Sequence, residues 1–142
     1  MENNNPLSIC LWFNGNAAEA ADFYCRIFNN SNKGMANPMV STFTVNGINF
    51  MALNGGPHYT FNEAISLVVS CNSQEEIDYF WEKLTEGGEE GKCGWLKDKF
   101  GVSWQVVPSA LGKIMSDHTK AQRATKALMA MKKLNIDELE NA

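Results

Sequence analysis

Apolar and polar residues alternate early in the chain, and a helical pattern follows the alternation. Residues 8–13 carry apolar side chains at alternate positions and end at the Asn-Gly-Asn of residues 14–16, which predicts a strand closed by a turn. Residues 17–28 place small and aromatic side chains at helical spacing, and Asn16 is a suitable N-cap. The pattern therefore predicts a strand followed by a helix.

The pair Asn46-Gly47 is the clearest turn signal in the chain. It separates two β-rich segments, residues 40–45 and 48–53, and Asn-Gly readily adopts the two positive φ angles of a tight hairpin turn. These segments are predicted to pair as antiparallel strands. The glycines and proline within residues 54–57 cannot continue a central strand, so residues 54–62 are predicted to form a loop of functional character.

The second half of the chain shows the same order of elements. Residues 64–71 are rich in β-forming side chains, and a helix is predicted from Gln74 to the glycines at 87–88. Residues 93–96 and 102–107 predict two further strands around a glycine-containing turn. Each half therefore consists of a strand, a helix and strands joined by a glycine turn.

The two halves also match position by position, which indicates an internal repeat. The matching positions lie 56 residues apart and include Leu11 and Leu67, Glu19 and Glu75, Asp22 and Asp78, and Tyr24 and Phe80. Chance similarity between two amphipathic helices is the alternative. The repeat is favoured because strand, cap, helix phase and hairpin recur in the same order.

The pattern becomes helical beyond Pro108. Residues 121–131 carry apolar side chains at helical spacing, and a short last turn begins at Asp137. This apolar face is suited to covering the sheet of the same chain or to meeting a second subunit. The two interpretations are not exclusive, and packing within the chain is the simpler one.

Composition and charge narrow the class of protein. The chain has 142 residues, of which 44% are hydrophobic and 20% charged, as is typical of one globular domain. The net charge is −4 and the basic residues are dispersed, so nucleic acid and anionic membranes are poor candidate partners. No apolar run approaches the roughly 20 residues that span a bilayer. The N-terminus has no signal-peptide pattern, so the cytoplasm is the expected location.

Aromatic residues concentrate near the glycine-containing loops, and polar side chains accompany them. Because a buried Trp needs a partner for its indole N–H, several Trp residues in one region indicate an amphipathic cavity; ordinary core aromatics are the alternative. The loop residue His58 has a side chain suited to a general base or a ligand. The predicted cavity walls are Trp12, Trp95 and Trp104, and the predicted polar groups are Asn54, His58, Glu63 and Gln105.

A family resemblance rests on four strings: LWFNGNAAEAADFY, FMALNGGPHYTFNEAIS, CGWLKDKFGVSWQVVP and ALMAMKKLNIDELENA. Over residues 7–142 the chain resembles the PhnB-like branch, often labelled 3-demethylubiquinone-9 3-methyltransferase-like, of the vicinal oxygen chelate (glyoxalase/bleomycin resistance/dihydroxybiphenyl dioxygenase) superfamily. The resemblance implies an α+β fold. Paired βαβββ modules, at about residues 7–55 and 63–108, would form a partly open mixed β-barrel around a small-molecule cavity. A helical tail, residues 109–142, would complete the single domain.

The resemblance also has implications for partners and metals. Homodimers are usual in the superfamily, and exchange of segments between subunits would suit the helical tail. Its enzymes typically hold a divalent metal through His, Gln or Glu, and the corresponding positions fall near Ile9, near Ala64 or Ile65, and at Gln105. These positions offer no histidine and cannot assemble a ligand set, so no metal is expected. No other cofactor is expected, since the glycine motifs of nucleotide and common S-adenosylmethionine sites are absent.

Three functional hypotheses result. The first is a metal-free homodimer that binds an unknown, partly apolar small molecule in the barrel cavity. The second is an enzyme of the superfamily, either a methyltransferase as the family label says or a metal-dependent lyase or dioxygenase type. In such an enzyme His58 or Glu63 is the candidate base. The third is an interaction module that uses the exposed face of residues 117–133.

Overall fold

The chain divides into two compact units, Met1–Phe61 and Asn62–Ala142. The computed structural model describes residues 5–142. Each unit is built on its own open, four-stranded mixed sheet with a helix against it. The predicted α+β fold with two βαβββ modules is therefore confirmed, whereas the barrel implied by the resemblance stays a prediction.

The first unit contains five regular elements, whose order repeats the βαβββ pattern. They are β1 (Ser8–Phe13), α1 (Ala17–Ile27), β2 (Ser31–Ala36), β3 (Val40–Val45) and β4 (Ile48–Asn54). The order in the sheet is β1-β4-β3-β2. β1 runs parallel to β4, and the other neighbours are antiparallel.

Helix α1 covers one face of this first sheet. Phe43 and Phe50 are cross-strand partners with ring centroids 5.0 Å apart, and Tyr24 of the helix stacks on Phe43 at 5.9 Å. All three are buried, and burying one large apolar side chain contributes about 1.5–3 kcal/mol. Since side chains alternate along a strand, Cys10 and Trp12 point to the other face of the sheet.

The predicted hairpin at Asn46-Gly47 is confirmed. Both residues have positive φ, 49° and 80°, as the tight turn between β3 and β4 requires. Strand β2 was not expected from the sequence. Its side chains are mostly exposed and its register shifts between Lys33 and Ala36, so it lacks the alternation that marks the other strands.

The prediction that Asn16 caps α1 with its side chain is wrong. Asn16 precedes the helix but makes no side-chain cap hydrogen bond. The Oδ1 of Asn54 accepts the hydrogen bond from the N–H of Ala17 instead, at 2.9 Å. Asn54 reaches this N–H because it ends β4 as the register partner of Phe13, the last residue of β1.

The second unit repeats the topology and adds a helical tail. Its elements are β5 (Leu67–Cys71), α2 (Gln74–Thr85), β6 (Glu89–Glu90), β7 (Trp95–Lys97), β8 (Ser103–Pro108), α3 (Leu111–Ser116), α4 (His118–Met129) and α5 (Ile136–Glu140). The sheet order β5-β8-β7-β6, with β5 parallel to β8, matches that of the first unit. The sequence repeat therefore corresponds to a structural repeat.

Helix α2 begins with a local cap. The Oγ of Ser73 accepts a hydrogen bond from the N–H of Glu76 at 3.2 Å, and the Glu76 carboxylate accepts from the N–H of Asn72 at 3.0 Å. The first bond satisfies an N–H group of the first turn, and the second ties the residue before the cap to the helix. The helix then buries Ile77 and Trp81 toward its sheet.

The end of the tail packs within its own unit. Leu134 and Leu139 are fully buried, and Gly94 donates its N–H to the carbonyl of Lys132 at 2.9 Å. The side chain of Gln74 donates to the carbonyl of Leu134 at 3.0 Å and accepts from the N–H of Ile136 at 2.8 Å. The end of the tail therefore packs within the chain, which is the simpler of the two predicted roles.

Candidate ligand-binding site

The two faces of the second sheet carry different side chains. Trp95 pairs with Gln105, and Lys97 pairs with Ser103, so these four side chains share one face. Trp104 lies between Ser103 and Gln105 and therefore points to the opposite face. That face is buried against α2, whereas the first face carries polar groups and the half-buried Trp95.

A cavity of about 140 Å³ lies beside the face that carries Trp95. Its lining residues come from the loop before β5 and from β6, β7 and β8: Glu63, Glu89, Glu90, Gly91, Trp95, Leu96, Lys97 and Ser103. An enclosed apolar cavity of about 150 Å³ in another protein accommodates benzene, so this more open space is of a comparable size.

An ion pair lies at this cavity. The Nζ of Lys97 is 2.5 Å from Oε1 of Glu63, and both side chains are partly exposed. The hydrogen bond to Glu63 raises the pKa of Lys97 first, and the charges of Glu63 and Glu89 raise it further. Glu63, predicted as a polar site residue and candidate base, is therefore held as the anionic partner of a lysine.

The cavity lining also contains Ser103, which is buried, and Glu90, whose carboxylate is hydrogen-bonded. Ser103 is 1% exposed, and among residues 5–142 its Oγ has no hydrogen-bond partner. The carboxylate of Glu90 accepts a hydrogen bond from the indole N–H of Trp81 at 2.8 Å. Buried hydroxyl groups are normally satisfied, so the unpartnered Ser103 hydroxyl is the least ordinary feature of this unit.

Gln105 shares the face of Trp95 but is outside the cavity lining. Its side-chain amide donates to the Oγ of Ser66 at 3.0 Å, which links β8 to the residue just before β5. This bond fixes the orientation of the amide. Gln105 therefore shares a sheet face with Trp95, which lines the cavity.

Trp104, which the sequence analysis predicted as a cavity wall, does not line the cavity beside Trp95. Its indole N–H donates to the buried carboxylate of Asp98 at 2.9 Å, and its ring is on the face covered by α2. Asp98 also accepts hydrogen bonds from the N–H groups of Phe100 and Val102. The Trp104 side chain thus belongs to the network that closes the turn between β7 and β8.

The remaining predicted site residues belong to the first unit. Trp12 donates its indole N–H to the carbonyl of Gly56 at 2.9 Å and packs edge-on against Tyr59. Both ends of the Asn54 amide are engaged, since Nδ2 donates to the carbonyl of Pro38 at 3.0 Å while Oδ1 caps α1. His58 is exposed in the loop that follows β4.

The sequence matches the model of a family described as 3-demethylubiquinone-9 3-methyltransferase, over residues 5–107. This chain belongs to that family. No curated protein matches it.

Solved structures of other proteins share the fold of this family member. A PhnB protein from Bacillus cereus is 33% identical, with a TM-score of 0.67, and the match covers 73% of this chain and 99% of that one. The fosfomycin resistance protein FosX from Listeria monocytogenes, solved with Mn(II) and sulfate, has a TM-score of 0.58 at 14% identity, covering 82% and 99%. A glyoxalase/bleomycin resistance protein from Albidiferax ferrireducens T118 has a TM-score of 0.52 at 18% identity, covering 73% and 98%. The fold is that of the vicinal oxygen chelate superfamily.

The side chains of this family member do not fit the divalent metal that the superfamily resemblance implies. Ile9, Ala64 and Ile65 carry no ligand atoms in their side chains, and the amide of Gln105 is bonded to Ser66. Within the described part of the chain, no three His, Cys, Asp or Glu side chains are grouped as metal ligands. The donor set does not support a chelated divalent ion.

Sequence reasoning missed most of the residues that line the cavity. Glu89 and Glu90 form a two-residue strand with no apolar alternation, and Lys97 and Ser103 lie at strand ends. One signal was available for Ser103. It precedes Gln105 by two positions, so both side chains point to one face of any strand that contains them.

Proposed function

We propose that this protein binds a small organic molecule in the cavity of its second unit. One observation supports the proposal above the others: the cavity lies beside the sheet face opposite α2, where Trp95 meets charged and hydroxyl groups. Ligand sites are typically concave and mostly apolar, with a few polar groups that orient the ligand. This cavity combines the aromatic ring of Trp95 with several charged and polar residues.

Each lining group has a separate part in such binding. Trp95 supplies a flat apolar wall. The ion pair of Glu63 and Lys97 provides charges whose positions are fixed by their mutual hydrogen bond.

The proposal assigns binding and no reaction. The family description names a methyl transfer, but the fold supplies two open mixed sheets rather than the doubly wound parallel sheet of common S-adenosylmethionine enzymes. Fold and family do not by themselves transfer a reaction. The candidate base Glu63 is committed to Lys97, which supports binding over general-base catalysis.

A fragment screen by NMR on the isotopically labelled full chain tests this proposal. We expect at least one small amphipathic fragment to shift the amide resonances of residues that line the cavity. Trp95→Ala should weaken that fragment about tenfold or more, because it removes the apolar wall. Tyr79→Ala is the matched control, since Tyr79 is a partly exposed aromatic of the same unit outside the cavity.

Two results would contradict the proposal. One is a screen in which every binding fragment shifts only residues remote from the cavity. The other is a cavity-binding fragment whose affinity is the same in the wild type and in correctly folded Trp95→Ala protein. Far-ultraviolet circular dichroism of each variant establishes that the comparison is made between folded proteins.

We also propose that the protein forms a homodimer, as the resemblance implies. The support is exposed apolar surface on and beside the edge strand β2, where Met35 and Met39 are 57% and 61% exposed. An edge strand with exposed apolar side chains is a ready surface for pairing. Sedimentation equilibrium of wild-type protein and of Met35→Lys protein tests this, and a monomeric wild type would overturn it.

A further inference from the structure

We propose that helix α4 of one copy of this chain docks on helix α2 of a second copy through side chains of opposite charge. The inference goes beyond the proposed function, because it concerns neither the cavity nor the exposed apolar surface at β2. It combines a basic side of α4, an acidic side of α2 and the absence of any ion pair that joins these two helices within residues 5–142.

One exposed side of α4 is basic. Lys120, Arg123 and Lys126 follow one another at three-residue intervals, so they lie along one side of the helix, and all three are exposed. We call these three residues the basic face. The helix contains no acidic residue, and no ion pair of the described chain involves the basic face. Helix α4 also lies beyond residue 107, where the match to the family model ends.

Other residues anchor α4 to its own unit. Ala124 is buried, and α4 packs against α3 and α5. At the start of the helix, the carboxylate of Asp117 accepts a hydrogen bond from the N–H of Thr119 at 3.0 Å. Beyond its end, Leu134 and Leu139 are fully buried. The basic face is therefore presented by a helix that is held at both ends.

Helix α2 carries the complementary charge. Glu75, Asp78 and Glu82 are separated by three and four residues, so they lie along one side of the helix, and all three are exposed. We call these three residues the acidic face. Asp78 is paired with Lys133 of the same chain at 2.9 Å, whereas Glu75 and Glu82 form no ion pair with the described residues. The acidic face thus accepts one basic side chain already, and two of its carboxylates remain unpaired.

The two helices also match in length. Each has 12 residues, which corresponds to about 18 Å of helix. Two such helices placed side by side bring the basic and acidic faces together along their whole length. Because a single exposed ion pair contributes little, we expect the contact to depend on several pairs and to weaken with added salt.

The distribution of charge favours a second copy over nucleic acid or an anionic membrane. Residues 113–133 contain six basic residues and one acidic residue, whereas the rest of the chain contains six basic and fifteen acidic residues. A polyanion that approached the basic face would therefore be repelled by the rest of the protein. A second copy offers a short row of carboxylates at helical spacing, together with a basic face of its own.

Sedimentation equilibrium of the full chain tests the contact. The parent protein for this experiment carries Met35→Lys, which removes the contact proposed at β2 and leaves the second unit unchanged. We expect the parent protein to self-associate reversibly at about 20 mM salt, with a dissociation constant on the order of 0.1 mM. At about 300 mM salt the association should be about tenfold weaker.

Charge reversal identifies the two sides of the contact. Arg123→Glu and Glu82→Lys, each introduced into the parent protein, should each weaken self-association about tenfold, because each places like charges opposite one another. An equimolar mixture of the two variants should associate as the parent protein does, because the two reversed charges attract each other. Lys92→Glu is the matched control for Arg123→Glu: it makes the same change in net charge at an exposed position outside α4, and it should leave the affinity unchanged.

Several results would overturn the proposal. The first is a parent protein that remains monomeric at about 1 mM and low salt. The second is association that neither charge reversal weakens, and the third is a mixture of the two variants that stays dissociated. Binding of the parent protein to anionic vesicles or to a short DNA duplex, without self-association, would assign the basic face to another partner and would also overturn the proposal.

Two controls keep the test decisive. Far-ultraviolet circular dichroism establishes that each variant is folded, and Lys126→Glu takes the place of Arg123→Glu if that variant is not, since both residues belong to the basic face. Failure of this proposal leaves the proposed function intact, because α4 contributes no residue to the cavity lining or to the surface at β2.

Discussion

The two units share one topology but use their polar side chains differently. In the first unit, both ends of the Asn54 amide and the indole N–H of Trp12 are bonded to the backbone of the same unit. In the second unit, Asp98 collects donors at a turn, but the Ser103 hydroxyl beside the cavity has no partner among the described residues. Two copies of one topology can thus use their polar groups for different contacts.

The edge strands show a similar contrast in charge. Strand β2 of the first unit has Lys33 as its charged residue, and Lys33 pairs with Asp22 of the neighbouring helix. Strand β6 of the second unit consists of Glu89 and Glu90 alone, and both line the cavity. The equivalent place in the topology therefore carries a basic residue in one unit and acidic residues in the other.

The largest loss of stability is expected at Asp98. Its buried carboxylate is charged, whereas Asn54 of the first unit bonds the backbone through an uncharged amide. Asp98→Ala should lower the free energy of unfolding by about 3–5 kcal/mol, because it strands two backbone N–H groups and the indole N–H of Trp104 in a buried place. Urea denaturation followed by Trp fluorescence measures this loss.

A surface carboxylate provides the control for this loss. Glu82→Ala removes an exposed carboxylate of α2 and should change the free energy of unfolding by less than about 0.5 kcal/mol. An Asp98→Ala protein as stable as the control would mean that the buried carboxylate does not hold the turn, and the contrast between the units would disappear.

The sequence predicted the strands that alternate and missed those that do not. Residues 8–13, 40–45 and 48–53 carry apolar side chains at alternate positions because one face of their sheet is buried, and the structure has strands there. Strand β2 buries almost nothing, so its composition resembles that of a loop. Strand β6 is only two residues long, which is shorter than any periodic pattern can reveal.

The site was less predictable because it depends on which face each side chain occupies. Trp104 and Gln105 are neighbours in one strand and so cannot both face one cavity, a constraint that the sequence already contained. Asn54 was expected to orient a ligand, but its contacts with Ala17 and Pro38 depend on a strand register that no local pattern specifies.

A smaller effect is expected at the helix caps, where the units differ in the origin of the capping group. Asn54→Ala should cost about 1–2 kcal/mol, since it removes the cap of α1 and a second bond to Pro38. Ser73→Ala should cost about 1 kcal/mol by removing the local cap of α2.

Asn16→Ala is the informative comparison for the caps. Asn16 makes no side-chain cap bond, so its substitution should cost less than Asn54→Ala in the same denaturation experiment. A larger loss for Asn16→Ala than for Asn54→Ala would show that Asn16 caps α1 in solution, as predicted from the sequence. Both helices would then be capped by a residue next to their own start.

The smallest effect is expected where the units agree. Asp22 and Asp78 occupy equivalent helix positions, and each is paired with an exposed lysine, Lys33 at 2.7 Å and Lys133 at 2.9 Å. Exposed ion pairs contribute little, so Asp78→Asn should cost about 0.5 kcal/mol or less. Asp22→Asn is its matched counterpart, and a large loss at either position would contradict the equivalence.

The pH dependence of the Asp78 pair has a definite sign. The hydrogen bond from Lys133 is the first cause that lowers the pKa of Asp78, and the amide of Gln74 is the second. The folded state therefore binds the proton of Asp78 less readily than the unfolded state does. The stability that the Asp78 pair contributes is fully present above the usual pKa of aspartate, and it is lost as the pH falls through the lowered pKa of Asp78. Asp78→Asn should therefore make the free energy of unfolding depend less on pH in the acid range.

The cap that Asn54 provides also bears on the order in which the chain can assemble during synthesis. The N–H of Ala17 receives its partner from a residue 37 positions later in the sequence. The end of β4 therefore has to leave the ribosome before the N–H of Ala17 at the start of α1 can be capped. The cap of the second helix needs only Ser73 and Glu76, which lie at the start of that helix. It can form as soon as this segment is synthesised.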